Sequence, residues 1–184
     1  MSQNPYSNNV LLNLGIQSLN KMQVAAENAI LKENNILLLS PTGSGKTLAF
    51  LLPIFQMMEE EVKGVQCLIL VPSRELGLQI EQVWKKMGTH FKVNTCYGGH
   101  SIETEFKNLS NPPALLIGTP GRIADHIERN SFATENIKTY VLDEFDKSLQ
   151  LGFHEEMKYI IGKITKVNKH ILVSATSGVE IPKY

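Results

Sequence analysis

The sequence has no excess of charge of either sign, no long apolar run and little sulfur chemistry, and each absence removes a class of protein. Lys and Arg number 18 and Asp and Glu number 18 among 184 residues, so no overall field draws the chain to nucleic acid or to an anionic membrane. Any polyanion has to be held by local geometry. No stretch approaches the roughly 18 apolar residues that a membrane-spanning helix needs. The start, MSQNPYSNNVLLNLG, has no basic segment leading into an apolar core. A cytosolic, cytoplasmic protein with no membrane partner is expected. The two cysteines, Cys67 in CLILVP and Cys96 in VNTCYGG, lack metal spacing and read as buried, reduced thiols. A repeat and a low-complexity linker are also missing. With 42% hydrophobic and 20% charged residues, the composition is that of one globular domain over residues 1–184.

What is there is alternation. Short apolar runs, ILLLS at 36–40, CLILVP at 67–72, VNTCY at 93–97, ALLIG at 114–118, TYVLD at 139–143 and HILVS at 170–174, read as strands buried on both faces. Between them lie residues at helical spacing: Met22, Ala25, Ala26, Ala29 and Ile30, then Leu76, Ile80, Val83, Trp84 and Met87. Pro53 interrupts TLAFLLPIFQMMEEE and is expected to kink that helix without ending it. Strand and helix in alternation predict an α/β fold with a mostly parallel central sheet and helices on both faces. In such sheets ligands bind beyond the carboxyl ends of the strands. Those ends carry SPTGSGKT, PSRELG, GG, TPGR, DEFD and SAT.

SPTGSGKT, between a predicted strand and a predicted helix, has the context of a P-loop. Gly43 and Gly45 let successive N–H groups of Thr42, Ser44 and their neighbours turn inward toward phosphate oxygens, and the helix N-terminus adds partial positive charge. Lys46 can reach the β- and γ-phosphates, and the Thr47 hydroxyl can ligate Mg²⁺. Ser40 stands where the strict pattern has Gly. A plain glycine turn with an exposed lysine is the bland alternative. Kinases, GTPases and motor ATPases share this loop, so the second motif narrows the reaction. In YVLDEFD a strand ends in Asp143-Glu144, which supplies one carboxylate for Mg²⁺ and a second to orient or deprotonate a water. A hydrolase needs that Glu. A solvated acidic strand end is the alternative for the pair in isolation.

In order and approximate spacing, the six motifs resemble the first RecA-like domain of the DEAD-box RNA helicases, with DEFD in place of DEAD, from about Gly15 onward. The resemblance implies a RecA-like P-loop NTPase fold and an ATP-dependent RNA helicase whose two RecA-like domains close on ATP and RNA together. It implies that Lys46 and Thr47 hold phosphates and Mg²⁺, Asp143 the metal and Glu144 the water. Asp146 would bond to Ser174 and Thr176 of SAT, and that link would couple nucleotide state to domain closure. Pro72, Ser73, Arg74 and Glu75, then Gly98 and Gly99, then Thr119, Pro120, Gly121 and Arg122 would line a track for the phosphates and 2′-hydroxyls of single-stranded RNA or a short duplex, read through its backbone. Close-approach glycines and helix N-termini suit that task, although each turn taken singly is an ordinary strand-to-helix connection.

The departures lie at both ends and in the middle. Residues 1–23 form a degenerate version of the family's upstream Q motif: Gln23 stands at the adenine-reading position and Tyr6 at the upstream aromatic, but Leu19-Asn20 replaces Pro-Thr and Ile16 replaces the ring that packs on adenine. No second RecA-like domain and no arginine finger are visible, so the chain alone is expected to bind nucleotide weakly and hydrolyse little. Two other readings remain: a non-catalytic RNA- or protein-binding module, and a DNA helicase or translocase domain. Phe145 replaces the family's small Ala. If strand alternation persists, it points to the side of Asp143, and it is expected to pack in an apolar pocket with the carboxylates left in register.

Overall fold

The computed structural model describes residues 5–99, 101–176 and 181, with side chains from residue 9. The six apolar runs become strands: β1 (Asn35–Leu39), β2 (Cys67–Leu70), β3 (Val93–Cys96), β4 (Leu115–Gly118), β5 (Thr139–Asp143) and β6 (Lys169–Ser174). Helices separate them: α1 (Pro5–Leu14) and α2 (Lys21–Lys32) precede β1, and α3 (Lys46–Met57), α4 (Arg74–Lys86), α5 (Ile102–Leu109) and α6 (Pro120–Glu128) follow β1 to β4 in turn. The short α7 (Phe145–Gln150) and α8 (His154–Lys163) lie between β5 and β6. α3 runs through Pro53 without ending. Among the described residues, no helix is long and apolar enough to cross a membrane.

Every strand pairing is parallel, in the order β1-β6-β5-β2-β4-β3. The register aligns Leu39 with Ser174, Asp143 with Val173, Leu70 with Leu142 and Gly118, and Cys96 with Gly118. The six carboxyl ends therefore lie along one edge of the sheet, as the turn motifs require. Because side chains alternate across a strand, each face has its own core. Ile69, Val141 and Ile171 pack with α2, α3 and α4 on one face, through Ile30, Phe50 and Trp84. Leu68, Leu116 and Leu142 pack with α6 and α8 on the other, through Ile123 and Ile160.

Central strands β2, β4 and β5 are buried at every residue. The outer two depart from the expectation of burial on both faces: Leu37 and Leu39 of β1 are exposed, and Val93, Asn94 and Thr95 of β3 are half-buried. Both are sheet edges, and the second core has no member from β1. In α2 the inward line is Gln23, Ala26 and Ile30, while Ala25 faces outward. A polar residue thus occupies the buried stripe, at the end of the helix that reaches the functional edge.

Candidate active site

The loop after β1 is shaped by two glycines and held by side chains from α2. Gly45 has φ 87°, and a Cβ there would lie 2.5 Å from Gln23 Nε2, so a side chain would meet both backbone strain and a clash. Asn20 caps α2 by a capping box: its Oδ1 accepts from Gln23 N and its own N donates to Gln23 Oε1, both at 2.9 Å. The same two side chains continue to the loop, Asn20 Nδ2 donating to Ser44 O at 3.1 Å and Gln23 Nε2 to Gly45 O at 3.2 Å. The Asn20 that breaks the family pattern therefore serves as both cap and clamp. Ser40, the other departure, hydrogen-bonds Ser44 across the loop at 2.7 Å. Lys46 begins α3 and is buried, its ammonium donating to the carbonyls of Ser40 at 2.5 Å and Pro41 at 2.9 Å. Ile16 packs against the α2–α4 core; the Tyr6 side chain lies outside the described residues.

Two strands away, β5 ends on Asp143, which is 3% exposed. Burial, then the Glu144 carboxylate beside it, raise its pKa to about 7, against the weaker opposing pull of the Glu144 N–H, Lys46 and Lys147. Glu144 is left-handed at φ 49°, ψ 47°, a conformation that costs a non-glycine residue about 1 kcal/mol or more and clusters at functional sites. Its Oε2 lies 2.8 Å from Lys147 Nζ. Asp146 Oδ2 accepts from Thr176 Oγ1 at 2.9 Å, and its buried Oδ1 has no hydrogen-bond partner among the described residues. The expected bond from Asp146 to Ser174 does not form; the Ser174 hydroxyl instead bonds within its own turn, accepting from Thr176 N at 3.0 Å. SAT is joined to DEFD through Thr176 alone among its hydroxyls.

Phe145 is buried at 2% exposure in the apolar pocket expected for it, but on the opposite side from the one alternation implies. It packs with Leu142, Met157 and Ile160 on the α6–α8 face, whereas Val141, in phase with Asp143, belongs to the other core. The left-handed Glu144 ends the strand, so the period-two rule stops before Phe145 is reached. Phe145 opens α7, the same helix that carries Asp146, and its ring joins the α6–α8 core.

The other half of the edge collects the remaining turns. Ser73 caps α4, accepting from Leu76 N at 3.3 Å, and Thr119 with Pro120 opens α6. Gly98 and Gly99 follow β3 and are exposed. TPGR sits close to them because Gly118 has no side chain: a Cβ there would lie 2.7 Å from Cys96 O and 2.6 Å from Ile123. Gly98, Thr119, Gly121, Arg122 and Phe153 share one open cavity of about 570 Å³. Arg74 stacks over the Tyr97 ring at 4.7 Å. Beneath lie residues that motif reading missed, the buried Glu105 and His126, 2.7 Å apart, with Arg122 3.4 Å from the same carboxylate. A charged residue on the buried stripe of α5, between Ile102 and Leu109, was the available signal. Both cysteines are buried and unpaired.

A wholly parallel sheet, a glycine loop wound onto a helix N-terminus and a carboxylate pair at a nearby strand end define a P-loop nucleotide-binding domain of RecA-like fold. Residues 20–183 match the model of the DEAD/DEAH box helicase family, and the chain belongs to that family. It is 38% identical over 156 residues to the ATP-dependent RNA helicase CshA of Limosilactobacillus reuteri, covering 84% of this chain and 31% of that protein. It is 35% identical over 178 residues to the ATP-dependent RNA helicase DeaD of Buchnera aphidicola, covering 94% of this chain and 29% of that one. Among solved structures, a DEAD box protein from the hyperthermophile Methanococcus jannaschii superposes with a TM-score of 0.89 at 32% identity, over 97% of this chain and 49% of that one. The chain thus spans about a third of the length of these curated relatives.

Proposed function

We propose that residues 1–184 are the ATP-binding domain of a cytoplasmic RNA helicase, which holds ATP and Mg²⁺ on one half of the strand-end edge and single-stranded RNA on the other. A second RecA-like domain of the same full-length protein would complete it for turnover, and the length of the relatives supports that. The observation that carries the reading is the shared edge: Lys46, Asp143, Glu144 and the Asp146–Thr176 bond lie on the ends of the same sheet as PSRELG, GG and TPGR. Buried unpaired thiols are in keeping with a reducing cytoplasm.

Each residue has a task that its surroundings support. Charged phosphate oxygens are stronger acceptors than the two carbonyls that hold the Lys46 ammonium, so the lysine would exchange them for the β- and γ-phosphates while the N–H groups of residues 42–47 line the phosphates. Thr47 and Asp143 offer hard oxygen donors, and burial beside the Glu144 carboxylate raises the Asp143 pKa despite Lys46 and Lys147, which suits a site for Mg²⁺; they would hold that ion where it neutralises phosphate charge. Glu144 would orient the attacking water and take its proton. Gln23, with one Nε2 hydrogen on Gly45, would read adenine with the other while Ile16 covers the base. The Asp146–Thr176 bond would report the nucleotide to the second domain. RNA would run over Pro72 to Glu75, Gly98, Gly99 and Thr119 to Arg122, contacting backbone and 2′-hydroxyls without reading sequence.

The test is titration of the purified chain with ATP and GTP, joined to turnover by the full-length protein. ATP is expected to bind more tightly than GTP, and equal affinity removes Gln23 from its role. Lys46→Ala is expected to weaken nucleotide binding by about a hundredfold. Full-length turnover should rise with single-stranded RNA; a rise with matched DNA alone would move the assignment to a DNA translocase, and RNA binding without turnover to a non-catalytic module.

A further inference from the structure

Glu105 belongs to none of the six turn motifs, yet it is buried at 3% exposure directly beneath two of them. Its Oε1 accepts from the backbone N–H of Tyr97, the residue before Gly98-Gly99, at 3.1 Å. Its Oε2 lies 2.7 Å from His126 Nε2 and 3.4 Å from Arg122 Nη1, the last residue of TPGR. His126 is fully buried, with Nδ1 3.0 Å from Ser131 Oγ. A carboxylate offers only acceptors, so His126 Nε2 donates to Glu105 while Nδ1 is held by the Ser131 hydroxyl. Tyr97 extends the link to a third turn, because its ring lies under the Arg74 guanidinium of PSRELG.

Cys96 joins Glu105 and His126 in a set whose donor atoms lie within 4.8 Å of one another, which resembles a metal site. Both oxygens of Glu105 are already committed to N–H donors. Burial, and after it the Glu105 carboxylate, push the Cys96 thiol up to about 12, toward its protonated form. The cluster is a hydrogen-bonded hub. Burying a carboxylate is costly unless every partner is in place, and here the partners are the turns themselves.

We infer that Glu105 is a positioning residue for nucleic-acid binding: one buried carboxylate fixes the backbone entering Gly98-Gly99 and the guanidinium of Arg122 in a common register, so that both turns meet one strand as a unit. It touches no ligand and acts through Tyr97 and Arg122. The inference rests on the RNA reading above and adds to it the device that holds two motifs together.

The test follows amide resonances of the isotope-labelled chain during two titrations, one with single-stranded oligouridylate read at Gly98, Gly99 and Gly121, the other with ATP read at Gly43 and Gly45. Glu105→Leu keeps bulk and removes both acceptors, and it is expected to weaken RNA binding by about tenfold or more. Glu105→Gln keeps an acceptor for Tyr97 N–H but loses the charge facing Arg122, and a loss of about threefold is expected. ATP affinity should stay within about twofold in both, because the hub touches no part of the phosphate loop. RNA binding equal to wild type in either variant overturns the inference and leaves the RNA reading intact; an equal loss of RNA and ATP binding reveals a general structural defect and also overturns it. If Glu105→Leu does not fold, the graded loss in Glu105→Gln decides. If the wild-type glycines do not respond to RNA while Gly43 and Gly45 respond to ATP, the RNA reading itself fails and takes the inference with it.

Discussion

The two halves of the strand-end edge treat their charges in opposite ways. In the β1–β6–β5 half, Asp143 sits beside another carboxylate, Asp146 has a buried oxygen with no partner among the described residues, and Glu144 is held left-handed. In the β2–β4–β3 half, the buried Glu105 is matched by Tyr97 N–H, His126 and Arg122. One half leaves carboxylates crowded together at a strand end, where a cation would relieve them; in the other, the buried Glu105 has N–H donors on both of its oxygens. Electrostatics held in place beforehand suit a reacting centre, while a satisfied network suits a surface that must keep its shape. The largest test of this contrast is Glu144→Gln in the full-length protein. It preserves shape, so nucleotide and RNA affinity should hold, while turnover should fall by about 10² to 10⁴-fold. Unchanged turnover would mean that the poised half is not where the chemistry occurs.

Phe145 tests whether stability and charge are separable within the poised half. Its ring fills the α6–α8 core and lies away from Asp143. Phe145→Ala should cost about 3–5 kcal/mol in a denaturant melt, as buried phenylalanines do. Nucleotide affinity of the folded fraction should change by less than about threefold, since the ring contributes no group to the site. A loss of affinity in step with stability would make the ring part of the site and blur the comparison.

Asp143 gives the contrast a pH dependence in the metal-free chain. Its folded pKa of about 7 stands above the ordinary 3.8, so the folded state holds this proton more tightly than the unfolded chain. The stabilisation is full below 3.8, is lost as pH rises through 7 and levels off above. Asp143→Asn removes that decline. Its melting temperature should exceed that of wild type by about 3 °C or more at alkaline pH and match it in acid. A constant offset at every pH would show that Asp143 ionisation is not what strains this half.

The poised half was the more legible in sequence. GSGKT and DE are contiguous, so spacing along the chain already fixes which atoms meet, and the parallel sheet then brings the strand ends together. Phe145 was misread in direction because a left-handed residue stopped the strand, and Glu144 is not the glycine that usually announces such a turn. Ser174 was misread because its hydroxyl finds Thr176, two residues on, before it can reach Asp146. The satisfied half hid its hub for a different reason. Tyr97 and Glu105 are eight residues apart, but His126 and Arg122 come from the next strand-helix unit, and they join because β3 pairs with β4 in the register that sets Cys96 beside Gly118. The only hint was one ionisable residue on each of two apolar helix stripes, Glu105 before Leu109 and His126 between Ile123 and Ile127.

Asn20 tests the contrast at its smallest scale, because its side chain is hydrogen-bonded through both oxygen and nitrogen and its two functions can be separated. Its Oδ1 caps α2 and its Nδ2 holds Ser44 O. Asn20→Ala removes both and should cost about 1 kcal/mol of stability through the lost cap. Asn20→Ser restores a capping oxygen but offers no donor that reaches Ser44, so stability should return while the loop keeps one fewer restraint. If the clamp matters to the phosphate loop, ATP affinity in Asn20→Ser stays reduced by a few-fold, about what one exposed neutral hydrogen bond supplies. If affinity returns with stability, Asn20 is a cap alone, and Gln23 through Gly45 is the contact that fastens α2 to the loop.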